Sequence, residues 1–223
     1  IMQARPDRVA RPTHLFARGN AMDKDRKVSA GLPASLEELA PAPKDPDRLD
    51  MAQWWVSGSN PLTARVFVNR VWEQLMGVGI VPTLEDFGSA GEKPTHPELL
   101  DYLALRFQDH HQWSAKSIIR EIVLSHAFTQ SATISPELNE RDPANRYLAR
   151  GPRLRLTAEM IRDQALSVSS LLSGTVGGPP VHPPIPDGVW RPFEARDKWT
   201  TPGPEDSDRY RRSIYTYTKR SIP

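Results

Sequence analysis

Apolar spacing along the chain predicts helices first. Over 62–77, Ala64, Phe67, Val68, Val71, Trp72 and Leu75 make one stripe, opened by Pro61 and closed by Gly77; its period of about 3.6 residues is that of an amphipathic helix. A second stripe, Leu99, Leu100, Leu103 and Phe107, follows Thr95-His96-Pro97-Glu98 and runs to about Asp109. Thr95 and Glu98 are spaced for a capping box, in which each side chain accepts the other residue's amide. Ser114 is placed to cap a helix to about His126, with Ile118, Ile119, Ile122, Val123 and His126 on its inner face. Thr157 is placed to cap a last helix to about Leu172, with Ile161, Ala165, Val168 and Leu172 as its stripe. A shorter helix at 48–57 carries Leu49, Ala52 and Val56 with Trp54 and Trp55 beside them, and Pro136 starts one short turn.

Two-residue alternation is rarer. Segments 13–19 and 150–156 read as extended, and 213–219 (SIYTYTK) has strong β-propensity. An antiparallel pairing of 13–18 with 213–219 would tie the two ends together. Segment 20–47 reads as a solvated connector, with five acids against Lys44 and Arg48 over 37–50. The long 77–94 loop has the glycines and prolines of a packed Ω-loop. The pattern therefore predicts a mainly α, irregular helical domain with long ordered proline-rich loops and a small antiparallel β pairing. Its parts are an extended segment 1–47, a helical core 48–172, and a proline-rich loop with a C-terminal strand over 173–223, together one domain.

Composition sharpens this picture. Proline is 22 of 223 residues, twice the usual ~5%, and it clusters in 33–61 and 179–204. Proline punctuates helices and leaves backbone groups in loops to be satisfied by side chains. A formal charge of +2 gives weak long-range steering, so nucleic acid is not an expected partner. There is no cysteine, hence no disulfide, cysteine-bound zinc or covalent haem attachment within these residues. No apolar run spans a membrane. The abrupt strand-like end predicts a fragment of a longer protein.

Candidate chemistry lies in polar clusters. Glu159 and Asp163 share a helix face and can bind a cation or do acid–base work. Arg150, Arg153, Arg155 and Arg162 nearby favour a structural ion network instead. Arg65, Asn69 and Glu73 recur every four residues along the 62–77 helix; they can tie loop carbonyls or line an anion pocket. None of the six histidines has the i, i+4 spacing of a helical zinc site, so no metal site is read from them. His110-His111 closes a helix, His126 reads as a core histidine, and His96 is placed to reach the 77–94 loop. No nucleophile elbow, Walker loop or dinucleotide fingerprint occurs. Arg209, Arg211, Arg212, Lys219 and Arg220 are interleaved with Tyr210, Tyr215 and Tyr217. That mixture suits a charged sheet edge, single-stranded nucleic acid or a sulfated glycan. Trp190, Phe193 and Trp199 either plug a core or stack on sugar rings.

Several segments together carry a family signature: NPLTARVFVNRVWEQLMGVGIVPTLEDFG (60–88), PTHPELLDYLA (94–104), WSAKSIIREIVLSHAFTQSA (113–132), DPANRYLARGPRLRLTAEMIRDQALSVSSLL (142–172) and RYRRSIYTYTKRSIP (209–223). The chain resembles the planctomycete-type domain of unknown function 1553, from the C-terminal side of planctomycete cytochrome-type surface proteins. The resemblance implies an exported, multidomain bacterial protein with haem c held in another domain, and it implies no established activity. The expectation is a binding or scaffolding module whose partners are other domains of the same polypeptide and acidic or sulfated polysaccharide. The alternatives are a polysaccharide-active enzyme using Glu159 and Asp163 with neighbouring arginines, and nucleic-acid binding. Arg212 completes the candidate polar network.

Overall fold

The computed structural model describes residues 11–32, 34–37, 46–185 and 200–218. It divides into two compact units, Ile1–Arg153 and Leu154–Pro223. The last long helix thus belongs to the second unit rather than to the core that holds the others.

In the first unit, β1 (Thr13–Phe16) pairs antiparallel with β2 (Lys24–Val28), in the register Thr13↔Val28 and His14↔Lys27. The small antiparallel pair is present, but its partner is local and lies inside the segment that reads as a connector. Closing a short hairpin costs far less chain entropy than joining the two ends of the chain. The charges of Lys-Asp-Arg-Lys disguise β2, whose first four residues are all exposed. After α1 (Ala34–Glu37) comes α2 (Arg48–Trp55). Asp47 Oδ1 accepts the amides of Leu49 (2.7 Å) and Asp50 (3.0 Å), and Asp50 accepts that of Asp47 at 2.8 Å.

The helix α3 (Thr63–Met76) follows the predicted stripe closely, burying Ala64, Val68, Asn69, Trp72 and Met76. Gly77 ends it at φ 92°, where its amide meets Glu73 O at 2.8 Å; a side chain would be strained there. The helices α4 (Pro97–Leu105) and α5 (Ala115–Val123) pack on α3. Leu100, Leu103, Phe107, Ile118 and Ile122 complete the core, with Ile80 and Val81 from the 77–94 loop. Phe67 stacks on Phe107 at 4.5 Å, and Trp113 meets Phe107 edge-on at 5.2 Å. The short helices α6 (His126–Thr129) and α7 (Pro136–Arg141) are capped by Ser125 and Ser135.

Three sequence expectations fail in this unit. The Thr95–Glu98 capping box does not form. His96 is the N-cap without a side-chain bond, and Thr95 turns its amide (2.8 Å) and hydroxyl (3.3 Å) to Ile80 O, closing the loop instead. Pro97 at the first turn removes one of the donors a cap would serve. His126 is exposed, because α5 stops at Val123 and Ser125 starts a new helix out of phase. Ile119 also lies 38% exposed, beyond the edge of the stripe.

In the second unit, Thr157 caps α8 (Ala158–Val168) as its spacing predicts. The stripe itself is not buried: Ile161 and Val168 are exposed, and α8 has no fully buried residue. Residues Ser207–Tyr210 and Ser213–Tyr215 form 3-10 turns, joined to the preceding loop by the isolated bridges Ser173↔Arg211 and Val181↔Thr216. The C-terminal segment therefore forms no strand with β1 among the described residues. Among these residues no helix is long and apolar enough to cross a membrane.

Candidate functional site

The polar residues picked out by spacing serve the loops. Asn69, fully buried on α3, donates to Val81 O (2.9 Å) and accepts from Val81 N (2.8 Å). One carboxamide thereby satisfies both backbone groups of a buried loop residue. Arg65 donates to Pro61 O and to Asp101, both at 2.6 Å. Arg150, 5% exposed, donates to Asp142 O (2.9 Å) and Pro143 O (2.7 Å). His96 meets the Thr95 hydroxyl at 3.0 Å and lines a recess of only about 10 Å³ with Trp72, Gly79 and Leu148. Arg65, Asn69, His96 and Arg150 thus engage separate partners and do not converge.

The second unit repeats the theme. Arg162 donates to Arg211 O (2.8 Å), Ser213 Oγ (3.2 Å) and Arg209 O (3.2 Å). Burial pulls its pKa down, against the smaller opposing effect of Asp163. Asp163 accepts the Ser213 amide at 2.7 Å, with Arg162 at 3.7 Å and Arg212 at 3.8 Å. Arg211, 2% exposed, donates to Pro179 O and Gly177 O and lies 4.0 Å over the Tyr215 ring. Glu159 stands apart, exposed at the first turn of α8, its carboxyl held below the ordinary range by its own amide and the Thr157 hydroxyl. Arg153 and Arg155 are exposed. Trp190, Phe193, Trp199, Lys219 and Arg220 lie outside the described residues.

Two features escape the spacing argument. The first is an open cleft of about 540 Å³ between α2 and α3, lined by Met51, Trp54, Trp55, Leu62, Phe67 and Arg70, among others. Trp55 is 54% exposed, and Arg70 at the rim is paired with Glu85 at 3.1 Å. The Trp54-Trp55 pair is the sequence signal for it, but nothing in one sequence says which helix faces α2.

The second is a polar cluster where α4 gives way to a π-helical turn, Arg106–His110. Glu121 on α5 accepts from Arg106 Nε (3.1 Å) and Nη2 (3.0 Å), from Tyr102 OH (3.2 Å) and from His111 Nε2. Partial burial pushes the Glu121 carboxyl up, but the hydrogen bonds from Arg106 and His111 outweigh it and hold the group below its ordinary value. Gln112 (φ 46°) and Trp113 (φ 62°) follow in the left-handed region, a costly conformation for side chains this size. A π-turn and a strained backbone together recur at functional positions.

A family model described as PSD1, protein of unknown function (DUF1553), matches residues 47–223. No curated protein and no solved structure matches the chain.

Proposed function

The chain belongs to the PSD1 (DUF1553) family, and from that premise we propose that it is a saccharide-binding and scaffolding module of an exported, haem-c-associated multidomain protein. The observation that carries this reading is the α2–α3 cleft. Indole and phenyl faces stack on the C–H faces of sugar rings, and Trp55, Trp54 and Phe67 line one open wall. Arg70 stands at its rim, and its partner Glu85 is 85% exposed. Such an exposed pair is worth little, so the guanidinium can exchange Glu85 for the carboxylate or sulfate of an acidic glycan, which its fork geometry suits. Among the residues that would serve an enzyme elsewhere, Arg150, Arg162 and Asp163 are committed to loop carbonyls and amides, and Glu159 stands apart from them at the first turn of α8, which favours binding over catalysis.

Calorimetric titration with a sulfated, a uronic and a neutral polysaccharide tests the proposal. Acidic glycans bind, and Trp55→Ala weakens them about tenfold, or about 1.4 kcal/mol. Arg70→Ala abolishes the preference for acidic over neutral glycan. Equal binding by wild type and both variants would place the ligand elsewhere and defeat the reading.

A further inference from the structure

The corner after α4 holds two adjacent imidazoles in an arrangement that a hydrogen bond explains poorly. His110 Nδ1 and His111 Nδ1 face each other at 3.4 Å, with the rings nearly perpendicular at 88°. That is long for a hydrogen bond between ring nitrogens. It is the separation of two ligands on one tetrahedral ion: nitrogens ~2.0–2.1 Å from zinc, at the tetrahedral angle, lie about 3.4 Å apart. The far nitrogen of His111 is held by the Glu121 carboxylate. A carboxylate there keeps the proton on Nε2 and leaves the Nδ1 lone pair facing His110, which is how metal-bound histidines are oriented. Glu121 is itself fixed by two bonds from Arg106, whose charge it neutralises, so no free cation opposes an incoming ion at that end. His110 is exposed, so its Nε2 can carry a proton toward water and free its own Nδ1.

The backbone sets this geometry before any ion arrives. His111 N bonds Arg106 O at 2.9 Å and Trp113 N bonds Phe107 O at 2.9 Å, while Gln112 donates to Asp109 O at 2.6 Å. Trp113 is anchored edge-on against buried Phe107. Two neighbouring residues of a regular helix point about 100° apart; here, where the π-turn ends, the two ring centroids stand 4.8 Å apart.

We propose that His110 and His111 form a two-histidine site for a divalent transition ion of the zinc type, with Glu121 orienting His111. Among the described residues no group of three or more histidine, cysteine or carboxylate side chains is placed to hold a metal, so water completes the shell and the site is open. The ion would lie on the surface of the first unit.

The test is titration of the untagged chain with zinc chloride, followed by calorimetry, and with cobalt(II), followed by its visible absorption. One ion binds per chain. His110→Ala, at an exposed position that should leave the fold intact by circular dichroism, weakens binding at least tenfold. Glu121→Gln weakens it about 10–100-fold, the usual effect of losing the outer carboxylate. His14→Ala with His182→Ala binds as wild type. No stoichiometric binding, or wild-type affinity in His110→Ala, would overturn the proposal. Unchanged affinity in Glu121→Gln would remove the carboxylate from it.

Discussion

At the residue scale, stability in the loops rests on single side chains that satisfy several backbone groups at once. Asn69 serves both groups of Val81, and Arg150 serves the carbonyls of Asp142 and Pro143. Removing Asn69 strands both polar groups of buried Val81, and each such atom costs about 1–3 kcal/mol; when Arg150 is removed, Asp142 O keeps the Asn145 amide at 3.2 Å and exposed Pro143 can turn to water. In one urea denaturation series, Asn69→Ala therefore loses about 2–4 kcal/mol, and Arg150→Ala, which removes the charged hydrogen bonds of a buried side chain, about 1–3 kcal/mol. Arg153→Ala, removing an exposed guanidinium, stays within about 0.5 kcal/mol of wild type. The contrast marks a limit of the sequence. Arg150 and Arg153 stand in the same basic run, and which one turns inward depends on the Asp142–Asn145 turn: Asp142 takes the amides of Arg146 and Tyr147, and Asn145 brackets Arg150. The close packing around Asn69 is equally invisible in the sequence. A Cβ on Gly79 would sit 2.5 Å from Val81 O and 2.8 Å from Asn69 Nδ2, so this glycine is required by space alone.

At the element scale, legibility followed the strength of the local pattern. The stripe of α3 is long and regular, and Pro61 and Gly77 bracket it, so element and core face are both readable. The helix α8 has a comparable stripe and a readable cap, yet its apolar face stays open, because periodicity reports a face and not its cover. The aromatic and β-branched 213–219 segment obeys other forces. Asp163 captures the Ser213 amide, and the Arg211 guanidinium is drawn into the carbonyls of the preceding loop; these non-local bonds override β-propensity. The His110–His111 pair is unreadable for a related reason, since a π-turn breaks the helical phase from which its placement would be inferred. The cap of α2 makes a testable case of its own. The amides of Asp50 and Leu49, donating to Asp47, hold its carboxyl below the ordinary aspartate value. A depressed folded-state pKa contributes stability above the unfolded value and loses it as pH falls through the folded one. Acidification below the ordinary aspartate range thus frays α2 and loosens the wall holding Trp54 and Trp55. Tryptophan fluorescence during an acid titration reports this step. Asp47→Asn, which can still cap but cannot titrate, removes it; an unchanged transition in that variant would assign it to another group.

At the scale of the whole molecule, the two units are stabilised by different means. The buried apolar cluster, from Ala64 to Ile122, lies entirely in the first. In the second, Val181 is the one buried apolar residue among those described, and the buried polar residues are Arg211 and Ser213. Arg162, Arg209 and Arg211 hold its turns through carbonyls. Apolar burial contributes about 25 cal/mol per Å². A guanidinium–carbonyl bond, by contrast, largely replaces bonds to water and contributes about 1 kcal/mol net. The second unit therefore has specific geometry with little net free energy behind it, and it opens first. Native-state hydrogen exchange of the full chain measures the difference: amides of α8 and of 207–216 exchange through openings of lower free energy than those of α3, α4 and α5. Arg162→Ala lowers protection in 207–216 further and leaves α3 unchanged, because its three acceptors all lie in that segment. Uniform protection across both units would mean that they unfold as one, and would overturn the prediction.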